Sequence, residues 1–541
     1  MTTHRPLSSS LVLSTLALAT LAAAVTGCNQ HPIKPVEFDG SLVETIPVPL
    51  DVNKKVDVLL VIDNSGSMGE EQANLAANFG PFIEKLEAAG ADYRIGITTT
   101  DLGGKGCASG GAGGELVLSS CLDRPETFVF QQDDQFETAC AAHCQYDDAT
   151  LAVRPTVIGA DGEAAPRPWI ESYSGVGNLP SGIDTLEAFQ CFAPQGISGC
   201  GWESPLEAMA RALDNMQNPE RPEHGFLRSD ALLAVLIVTD EVDCSISPGM
   251  GDALFVDKTF WEGNLMTSAA CWNAGVACSG ESPFEDCWDV NLDAQGQETE
   301  DSTQMVLRPV SRYVEQLEAV AASKLAGREV LVSIIAGVPE GYSSGAAEIV
   351  YADAEHTSFA EPDDFQVLFG IGAGCQTEID GSIQSAVPPV RLKTLAEAFV
   401  GSGLGEGARN IYSVCAADYT PAILDIVAGI EVELPPACFS GCVRDIDPST
   451  DELDYSCTVL EQTGGDQYEL PECASGEAGP EIPASADACW IAKTGAEVAD
   501  ECVQNNSNLE FELLRRPGVP VPGDVQVSAL CELETFSAKC D

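Results

Sequence analysis

Three segments of this chain are apolar over nearly their whole length, and they constrain the fold more than any other feature. They are VDVLLVI (56–62), LLAVLIV (232–238) and VLVSIIA (330–336). A run of this kind, without alternating polar residues, is typical of a strand buried on both faces of a parallel sheet. Such a sheet needs helices on both faces, and helical segments are predicted between the runs. The sequence therefore predicts an open, doubly wound, mostly parallel α/β sheet.

Shorter strands and several helices complete this alternation. Two further strands are predicted at Tyr93–Thr98 and Asn410–Val414. In residues 70–89 the apolar side chains recur on one helical face, but Gly80-Pro81 interrupts the segment and predicts a kink or two shorter helices. Further helices are predicted at residues 182–192, 205–215, 303–325 and 391–399, and from Thr420 onward.

The alternation is interrupted twice and then ends. Residues at about 102–180 and 244–300 are rich in Gly, Cys and acidic side chains, and we interpret them as insertions that disulfides pin into local lobes. After about residue 436 helical periodicity fades, while Cys, Pro and Gly rise and short β-like runs appear. We predict an α/β domain over residues 54–432 with these two insertions, and a small disulfide-rich β domain over residues 436–541.

The N-terminal residues have the composition of a secretion signal. Arg5 precedes a mostly apolar stretch, Leu11–Val25, which is too short to span a bilayer. The stretch ends in Val25-Thr26-Gly27-Cys28, which resembles the bacterial lipobox. That resemblance implies a signal peptide over residues 1–27, lipidation of Cys28 and membrane contact through the lipid anchor. An ordinary secretory peptide cut nearby, with Cys28 incidental, is the alternative. The polar, proline-containing residues 28–53 are interpreted as a tether.

The residue after Cys28 bears on the location of the protein. In the enterobacterial sorting pattern an Asp at this position retains a lipoprotein at the inner membrane, whereas this chain has Asn29. The resemblance therefore favours the outer membrane of a bacterial envelope, on its periplasmic face or at the cell surface.

The cysteine count agrees with an oxidising compartment. There are 21 Cys, and without Cys28 the predicted α/β domain holds twelve and the predicted C-terminal domain eight. Each group is even and can close its own disulfides, as in secreted proteins. The sequence does not give the connectivity, for which the close pairs Cys140/Cys144 and Cys438/Cys442 are candidates. No pair of CxxC motifs has zinc-site spacing, and His is scarce, which argues against a structural zinc site.

The formal net charge of −58 restricts the partners of the chain. A surface this acidic repels phosphate backbones, so nucleic acid is excluded as a partner. The same surface attracts divalent cations and basic partners.

The first apolar run ends in the sequence Asp63-Asn64-Ser65-Gly66-Ser67. This Asp-x-Ser-x-Ser motif follows the carboxyl end of a strand, where open α/β sheets bind their ligands. A carboxylate and two hydroxyls at alternate positions of a turn can converge on one hard cation, and Gly66 lets the backbone bend. Oxygen ligands favour Mg²⁺, Ca²⁺ or Mn²⁺ over zinc.

The segment VDVLLVIDNSGSM (56–68) resembles the first strand and the start of the metal-ion-dependent adhesion site of the von Willebrand factor A family. That family completes the site with a Thr from a later loop and an Asp after the central strand. LLAVLIVTDE places Asp240 at the Asp position, whereas GCGWESPLEAMARAL places Glu203 at the Thr position, next to Ser204. The resemblance covers about residues 54–430. It implies a von Willebrand A-type sheet that binds a divalent cation through Asp63, Ser65, Ser67 and Asp240.

Glu203 and Ser204 lie where the sequence departs from the family pattern, and two roles are open for each of them. Glu203 either contacts the metal, directly or through water, or does not; as a ligand it would add negative charge and shift preference toward Ca²⁺. Ser204 either binds the metal or caps a helix, since Ser204-Pro205-Leu206-Glu207 has the pattern of a capping box. The alternative for the whole site is a domain of this fold whose carboxylates are merely solvated.

The resemblance also implies a function. In the family, water completes the coordination of the cation until a partner protein supplies an oxygen, usually from Asp or Glu. We therefore expect an envelope lipoprotein that mediates metal-dependent protein binding or adhesion and is not an enzyme. One alternative is a structural envelope protein in which the metal only stabilises the domain. The other is a metal-dependent hydrolase with Glu203 or Glu241 as general base, against which the five scattered His and the missing nucleophile elbow argue.

Overall fold

The computed structural model describes most of the chain after residue 47. The described residues are 48–50, 54–103, 107, 111–158, 163–173, 176–263, 266–324, 330–354, 365–379, 382–400, 408–432, 436–450, 452–463, 466–476, 479–516, 526–534 and 540. The predicted signal peptide (1–27) and Cys28 lie outside the described residues.

A seven-stranded sheet forms the centre of the α/β region. Its strands in chain order are β1 (Lys55–Ile62), β2 (Asp92–Thr99), β3 (Ile170–Tyr173), β4 (Val176–Gly177), β5 (Leu232–Val238), β6 (Val330–Ala336) and β7 (Ile411–Ser413). Across the sheet the order is β7-β6-β5-β1-β2-β3-β4. Five neighbouring strands, β7 to β2 in this order, are parallel, and β3 and β4 add an antiparallel edge. The predicted mostly parallel α/β sheet is thus confirmed.

Helices cover both faces of this sheet because alternate side chains of each buried strand point to opposite faces. One face carries α1 (Gly69–Asn78), α2 (Gly80–Ala88), α3 (Thr185–Phe192) and α7 (Thr420–Val432). The other face carries α4 (Pro205–Gln217), α5 (Val310–Ser323) and α6 (Val390–Ala398). The predicted break at Gly80-Pro81 separates α1 from α2, with Pro81 in the first turn of α2, where its missing N–H costs nothing.

The segment predicted as the first insertion is not wholly outside the sheet. Strands β3 and β4 lie within residues 102–180 and extend the sheet beside β2. The rest of the segment forms short elements: a hairpin of Val129–Phe130 with Asp133–Asp134, and helical turns at Cys121–Asp123, Pro125–Phe128 and Glu137–Ala141.

The segment predicted as the second insertion builds a separate hydrophobic cluster around the buried Trp272. It contains two short helices, Gly251–Phe255 and Ala269–Gly275, and a hairpin of Val276–Ser279 with Asp286–Asp289. Later residues join this cluster through the helix Phe365–Phe369. The hairpin of Cys375–Ile379 with Ser382–Ala386 instead places Cys375 and Ala386 in the cluster on the α1 face of the central sheet.

Ten disulfides connect all twenty cysteines after Cys28. Six lie within the first group of cysteines: 107–200, 121–140, 144–191, 244–271, 278–287 and 375–415. Four lie within the second: 438–502, 442–540, 457–531 and 473–489. The predicted division into two self-contained groups is therefore confirmed.

The two close candidate pairs were wrong. Cys140 and Cys144 belong to one helical turn, where the Cys144 N–H donates to the Cys140 carbonyl. Their side chains find partners on other segments, Cys121 and Cys191 respectively. Cys438 and Cys442 likewise pair with distant cysteines, so each bond joins separate segments instead of closing a short loop.

The C-terminal region is built from short strands, as predicted. One sheet has the order Ala437–Cys438, Leu509–Arg515, Ala488–Thr494; the other contains Cys457–Thr463 and Asp466–Leu470 beside Gln526–Cys531. A small hairpin (Ala474–Gly476 with Gly479–Glu481), a helical turn (Gly495–Glu497) and a short helix (Asp500–Gln504) complete the region.

One strand of this region comes from the other end of the chain. Val48–Leu50, which we had assigned to the tether, pairs antiparallel with Gln526–Cys531 at the edge of the second sheet. Leu50 is 6% exposed and packs in the cluster of Phe439 and Trp490. Val48–Leu50, which lie within the predicted tether, are therefore part of the folded protein.

A search of the described helices for a membrane span found none that combines sufficient length with sufficient apolar character.

Candidate metal centre

The Asp-x-Ser-x-Ser loop begins where β1 ends. Ile62 is opposite Val238 of β5 and Thr99 of β2, so the residues after these three strands meet at one edge of the sheet. The Asp63 N–H continues the ladder by donating to the Val238 carbonyl at 2.9 Å. Since neighbouring strands lie about 4.8 Å apart, the side chains that follow them can share one site.

The loop orients the Asp63 carboxylate through its own backbone. The Ser65 N–H donates to Asp63 Oδ1 at 2.8 Å, and the Gln72 amide of α1 holds the Asp63 carbonyl at 2.7 Å. The hydroxyls of Ser65 and Ser67 lie 3.4 Å apart. Asp63 and Ser65 are buried, whereas Ser67 is half-buried. The loop is therefore accessible to solvent on the side of Ser67.

Residues after β5 supply the opposite side of the site. The Thr239 hydroxyl donates to Asp63 Oδ2, which ties the two strand ends together. Asp240 is 5% exposed, and its Oδ1 has no hydrogen-bond partner among the described residues. Burial and the charge of Asp63 raise the pKa of Asp240, and the Ser67 side chain opposes the shift, so the three residues are neighbours. The structure thus brings the predicted residues Asp63, Ser65, Ser67 and Asp240 together.

Glu203 lies at the same edge and is fully buried. The Thr100 hydroxyl, from the end of β2, donates to Glu203 Oε2. The other oxygen, Oε1, is buried and has no hydrogen-bond partner in the described part of the chain. Burial, followed by the charges of Asp63 and Glu241, raises the pKa of Glu203 well above its usual value. The residue at the family's Thr position is therefore part of the cluster.

Ser204 does not form the predicted capping box. It stands at the N-cap position of α4, but its hydroxyl donates to the Cys244 carbonyl at 2.8 Å instead of accepting from the helix. The helix is capped from the β5 side, where Asp243 Oδ1 accepts from the Leu206 N–H at 3.3 Å. Asp243 also pairs with Arg391 at 3.0 Å and is 2% exposed, so its carboxylate is held inside the fold.

The ionised forms of Asp63 and Asp240 are both disfavoured in the folded protein. Burial raises the pKa of Asp63 to about 6, although hydrogen bonds from Thr239 and Ser65 oppose the shift. Burial and the charge of Asp63 together raise the pKa of Asp240 to about 7. Without a counter-charge, the two carboxylates resist being ionised together.

Two further carboxylates surround this pair. Burial and the charge of Asp240 raise the pKa of both Glu71 and Glu241. Glu241 accepts from the Ser268 hydroxyl at 3.1 Å, whereas Glu71 Oε2 is buried without a partner among the described residues. None of the ion pairs between described residues, taken as N–O distances of 4.0 Å or less, includes Asp63, Asp240 or Glu203. No basic side chain in the described part of the chain therefore pairs with these three carboxylates to neutralise the cluster.

The residues present fit a hard divalent cation. The carboxylate oxygens without hydrogen-bond partners and the hydroxyls of Ser65 and Ser67 are oxygen ligands. Mg²⁺, Ca²⁺ and Mn²⁺ prefer such ligands. In the described residues, only Asp101, Cys107 and Cys200 place three acidic or sulfur ligand atoms within 4.8 Å of one another, and those two cysteines form a disulfide. No three described carboxylates of the candidate centre approach one another so closely, so serine hydroxyls and water would have to share the coordination.

Sequence reasoning missed several members of the site. Thr100 and Thr239 orient two of the carboxylates, and Glu71 adds a further carboxylate from α1. A signal for Thr100 was present, because Thr100-Asp101 follows β2 as Asp63 follows β1. Its contact with Glu203, 103 residues away, depends on how two loops pack and is not encoded locally.

Comparisons with known proteins add little to this geometry. No protein-family model matches the sequence, and no curated protein matches it. The pilus adhesin SpaC from Lactobacillus rhamnosus GG, in its open conformation, is similar with a TM-score of 0.28 and 8% identity over 91% of this chain. A second structure of that adhesin gives 0.26 and 9% over the same share. In both cases the chain spans 41% of the adhesin. At these TM-scores the likeness supports no inference about function.

Proposed function

We propose that this protein is a bacterial envelope lipoprotein with a von Willebrand A-type domain that binds a divalent cation and, through it, a protein partner. Asp63, Ser65 and Ser67 would hold the cation directly, with Asp240 bound directly or through water. When bound, the cation offers a coordination position to an oxygen of an acidic residue on the partner.

The observation that carries this proposal is the pair of unpartnered buried oxygens, Asp240 Oδ1 and Glu203 Oε1. A buried carboxylate oxygen without a hydrogen bond or counter-charge costs several kcal/mol, and proteins retain such groups where a ligand compensates them. Both oxygens face a cluster that contains Asp63 as the main charged neighbour. A cation is the ligand that this arrangement accommodates.

Glu203 bears on the identity of the cation. A site with a third carboxylate suits Ca²⁺, which accepts more carboxylates and a less regular geometry than Mg²⁺. Mg²⁺ and Mn²⁺ remain compatible with the Ser65 and Ser67 hydroxyls. We propose that Glu203 touches the cation directly or through one water, and that Ser204, whose hydroxyl is bonded to the Cys244 carbonyl, does not.

The envelope assignment is supported by the disulfides. Ten bonds in one chain fit an oxidising compartment and not the cytosol. Anchoring at the outer membrane through lipidated Cys28 belongs to this proposal, on its periplasmic face or at the cell surface.

The test is a pull-down of the mature protein from its own cell envelope, with Mg²⁺ or Ca²⁺ and with EDTA. We expect a partner that is retained with the cation, released by EDTA and absent for Asp63→Ala. The matched control is Asp257→Ala, which changes an exposed aspartate of the second insertion and should retain the partner. Retention by Asp63→Ala, or in EDTA, would refute cation-dependent binding.

A second function, a structural envelope protein in which the cation only stabilises the domain, is favoured by one observation. Asp63 and Glu203 are both fully buried, as expected of ligands to a structural ion. In that case the partner would be retained in EDTA while the melting temperature fell. No described feature favours the hydrolase, which also needs a nucleophilic water that Glu203 or Glu241 could activate.

A further inference from the structure

A hairpin from the first predicted insertion lies directly beside the Asp-x-Ser-x-Ser loop. Its strands are Val129–Phe130 and Asp133–Asp134, and we call it the 129–134 hairpin. A Cβ atom added at Gly66 would lie 2.4 Å from Phe130 Cδ1, so the Phe130 ring rests on the backbone between Ser65 and Ser67. The proposed cation site and the hairpin are thus one continuous surface.

The base of the hairpin is fixed. Phe128 is fully buried, and the Thr127 carbonyl accepts from the Ile197 and Ser198 N–H groups at 2.7 and 3.0 Å. The disulfide between Cys121 and Cys140 closes the segment around it. Because the base is held on both sides, the tip keeps a defined position relative to the metal loop.

The tip of the hairpin is exposed and carries mixed chemistry. Val129 is 42% exposed and Phe130 38%, although both are large apolar side chains. Asp133 and Asp134 are also exposed. Gln131 and Gln132, which form the turn, have φ values of 48° and 80°, a backbone region that is costly for residues other than Gly and Asn.

Strand pairing assigns these side chains to two faces. Residues directly opposite in an antiparallel pair point to the same side, and successive residues alternate. Phe130 is opposite Asp133, and Val129 is opposite Asp134. Since Phe130 rests on Gly66, the Phe130/Asp133 face is next to the metal loop and the Val129/Asp134 face points away from it.

We propose that the Phe130/Asp133 face is the second contact of the protein partner and selects among acidic ligands; this rests on the proposed function above. The occupant is a polypeptide segment with a carboxylate for the cation, an apolar side chain for Phe130 and a basic side chain for Asp133. Charge favours this chemistry, because a carboxylate ligand approaching a chain of net charge −58 needs adjacent positive charge.

The experiment is a selection of short randomised peptides with one fixed Asp, displayed on phage, against the immobilised mature protein in Mn²⁺. Wild type should enrich peptides with an apolar residue and Lys or Arg near the Asp, and EDTA should abolish the enrichment. Phe130→Ser should lose the apolar preference and weaken the best peptide about tenfold, as expected for an aromatic contact residue. Asp133→Lys should replace the basic preference with an acidic one.

The opposite face of the same hairpin provides matched controls. Val129→Ser and Asp134→Lys should select the same peptides as wild type. If Phe130→Ser and Asp133→Lys also select wild-type peptides, the hairpin is not a contact, while cation-dependent selection of Asp peptides would still stand. If selection by wild type is unaffected by EDTA, or persists in Asp63→Ala, the proposed function itself fails and this inference falls with it.

Discussion

At the scale of single residues, the pKa values of Asp63 and Asp240 couple cation binding to pH. Their values of about 6 and about 7 exceed that of an unfolded Asp, about 3.9. At pH values between the pKa of the unfolded state and those of the folded state, the folded protein binds more protons than the unfolded protein. The free energy of unfolding therefore falls as pH rises through this range.

The first prediction concerns the slope of the free energy of unfolding against pH. In EDTA, we expect the free energy of unfolding to fall by roughly 7 kcal/mol between about pH 4 and about pH 8, because both carboxyl groups keep their protons to a higher pH in the folded state. Saturating Ca²⁺ or Mg²⁺ should flatten the slope, because the cation stabilises the ionised carboxylates. Urea denaturation with intact disulfides measures both. An equal slope in the Asp63→Asn/Asp240→Asn double variant would contradict the assignment.

The second prediction concerns Glu203. Replacing it by Thr removes a buried carboxylate, so Glu203→Thr should stabilise the cation-free protein at neutral pH. The same change should shift preference from Ca²⁺ toward Mg²⁺, since fewer carboxylates remain for the larger ion. Calorimetric titration with each cation gives the ratio of dissociation constants. The exposed Glu220→Gln is the control, and an unchanged ratio in Glu203→Thr would place Glu203 outside the coordination sphere.

The site residues that the sequence predicted are those whose positions depend on nearby residues in the chain. Asp63, Ser65 and Ser67 are within one turn, so their motif alone made them candidate ligands. Asp240 follows an apolar strand and became a candidate through the family resemblance. Thr100 could not be assigned in this way, because its partner Glu203 lies on a loop that only the packing of α4 brings near.

At the scale of elements, the buried strands were the most predictable part of the fold. The bounds of β5 and β6 match the apolar runs, and β1 begins one residue before its run. Strand β3 was missed because Ile170–Tyr173 is short, contains two polar residues and pairs at an edge, where no continuous apolar pattern is required.

The third prediction tests the contact between the metal loop and the 129–134 hairpin. Gly66→Ala forces a Cβ against the Phe130 ring, and we expect it to destabilise the protein by about 1–3 kcal/mol. Phe130→Ala in the same chain should recover most of this loss. A double-mutant cycle from denaturation curves measures the coupling, and simple additivity of the two changes would show that the ring does not rest on Gly66.

At the scale of the whole molecule, the chain passes through the C-terminal region before it enters the α/β region. Val48–Leu50 completes a sheet with residues from the far end of the sequence. Neither this pairing nor the disulfide connectivity could be predicted, because both join segments whose separation in sequence carries no geometric information.

The fourth prediction follows from that pairing. Leu50→Ala removes a buried side chain from the cluster of Phe439 and Trp490, and should cost about 2–4 kcal/mol. We expect faster hydrogen exchange in Gln526–Cys531, with cation affinity unchanged because the metal loop is built on a different sheet. If cation affinity fell in parallel, the two regions would not be independent.

The most direct test of the central claim is a titration of the mature, chelator-treated protein with Mn²⁺, with free Mn²⁺ followed by electron paramagnetic resonance. We predict one saturable site in the wild type, competed by Mg²⁺ and Ca²⁺, and its loss in Asp240→Asn with the fold retained. Wild-type protein that binds no Mn²⁺, or an Asp240→Asn variant that binds it equally well, would contradict the cation site at this edge of the sheet.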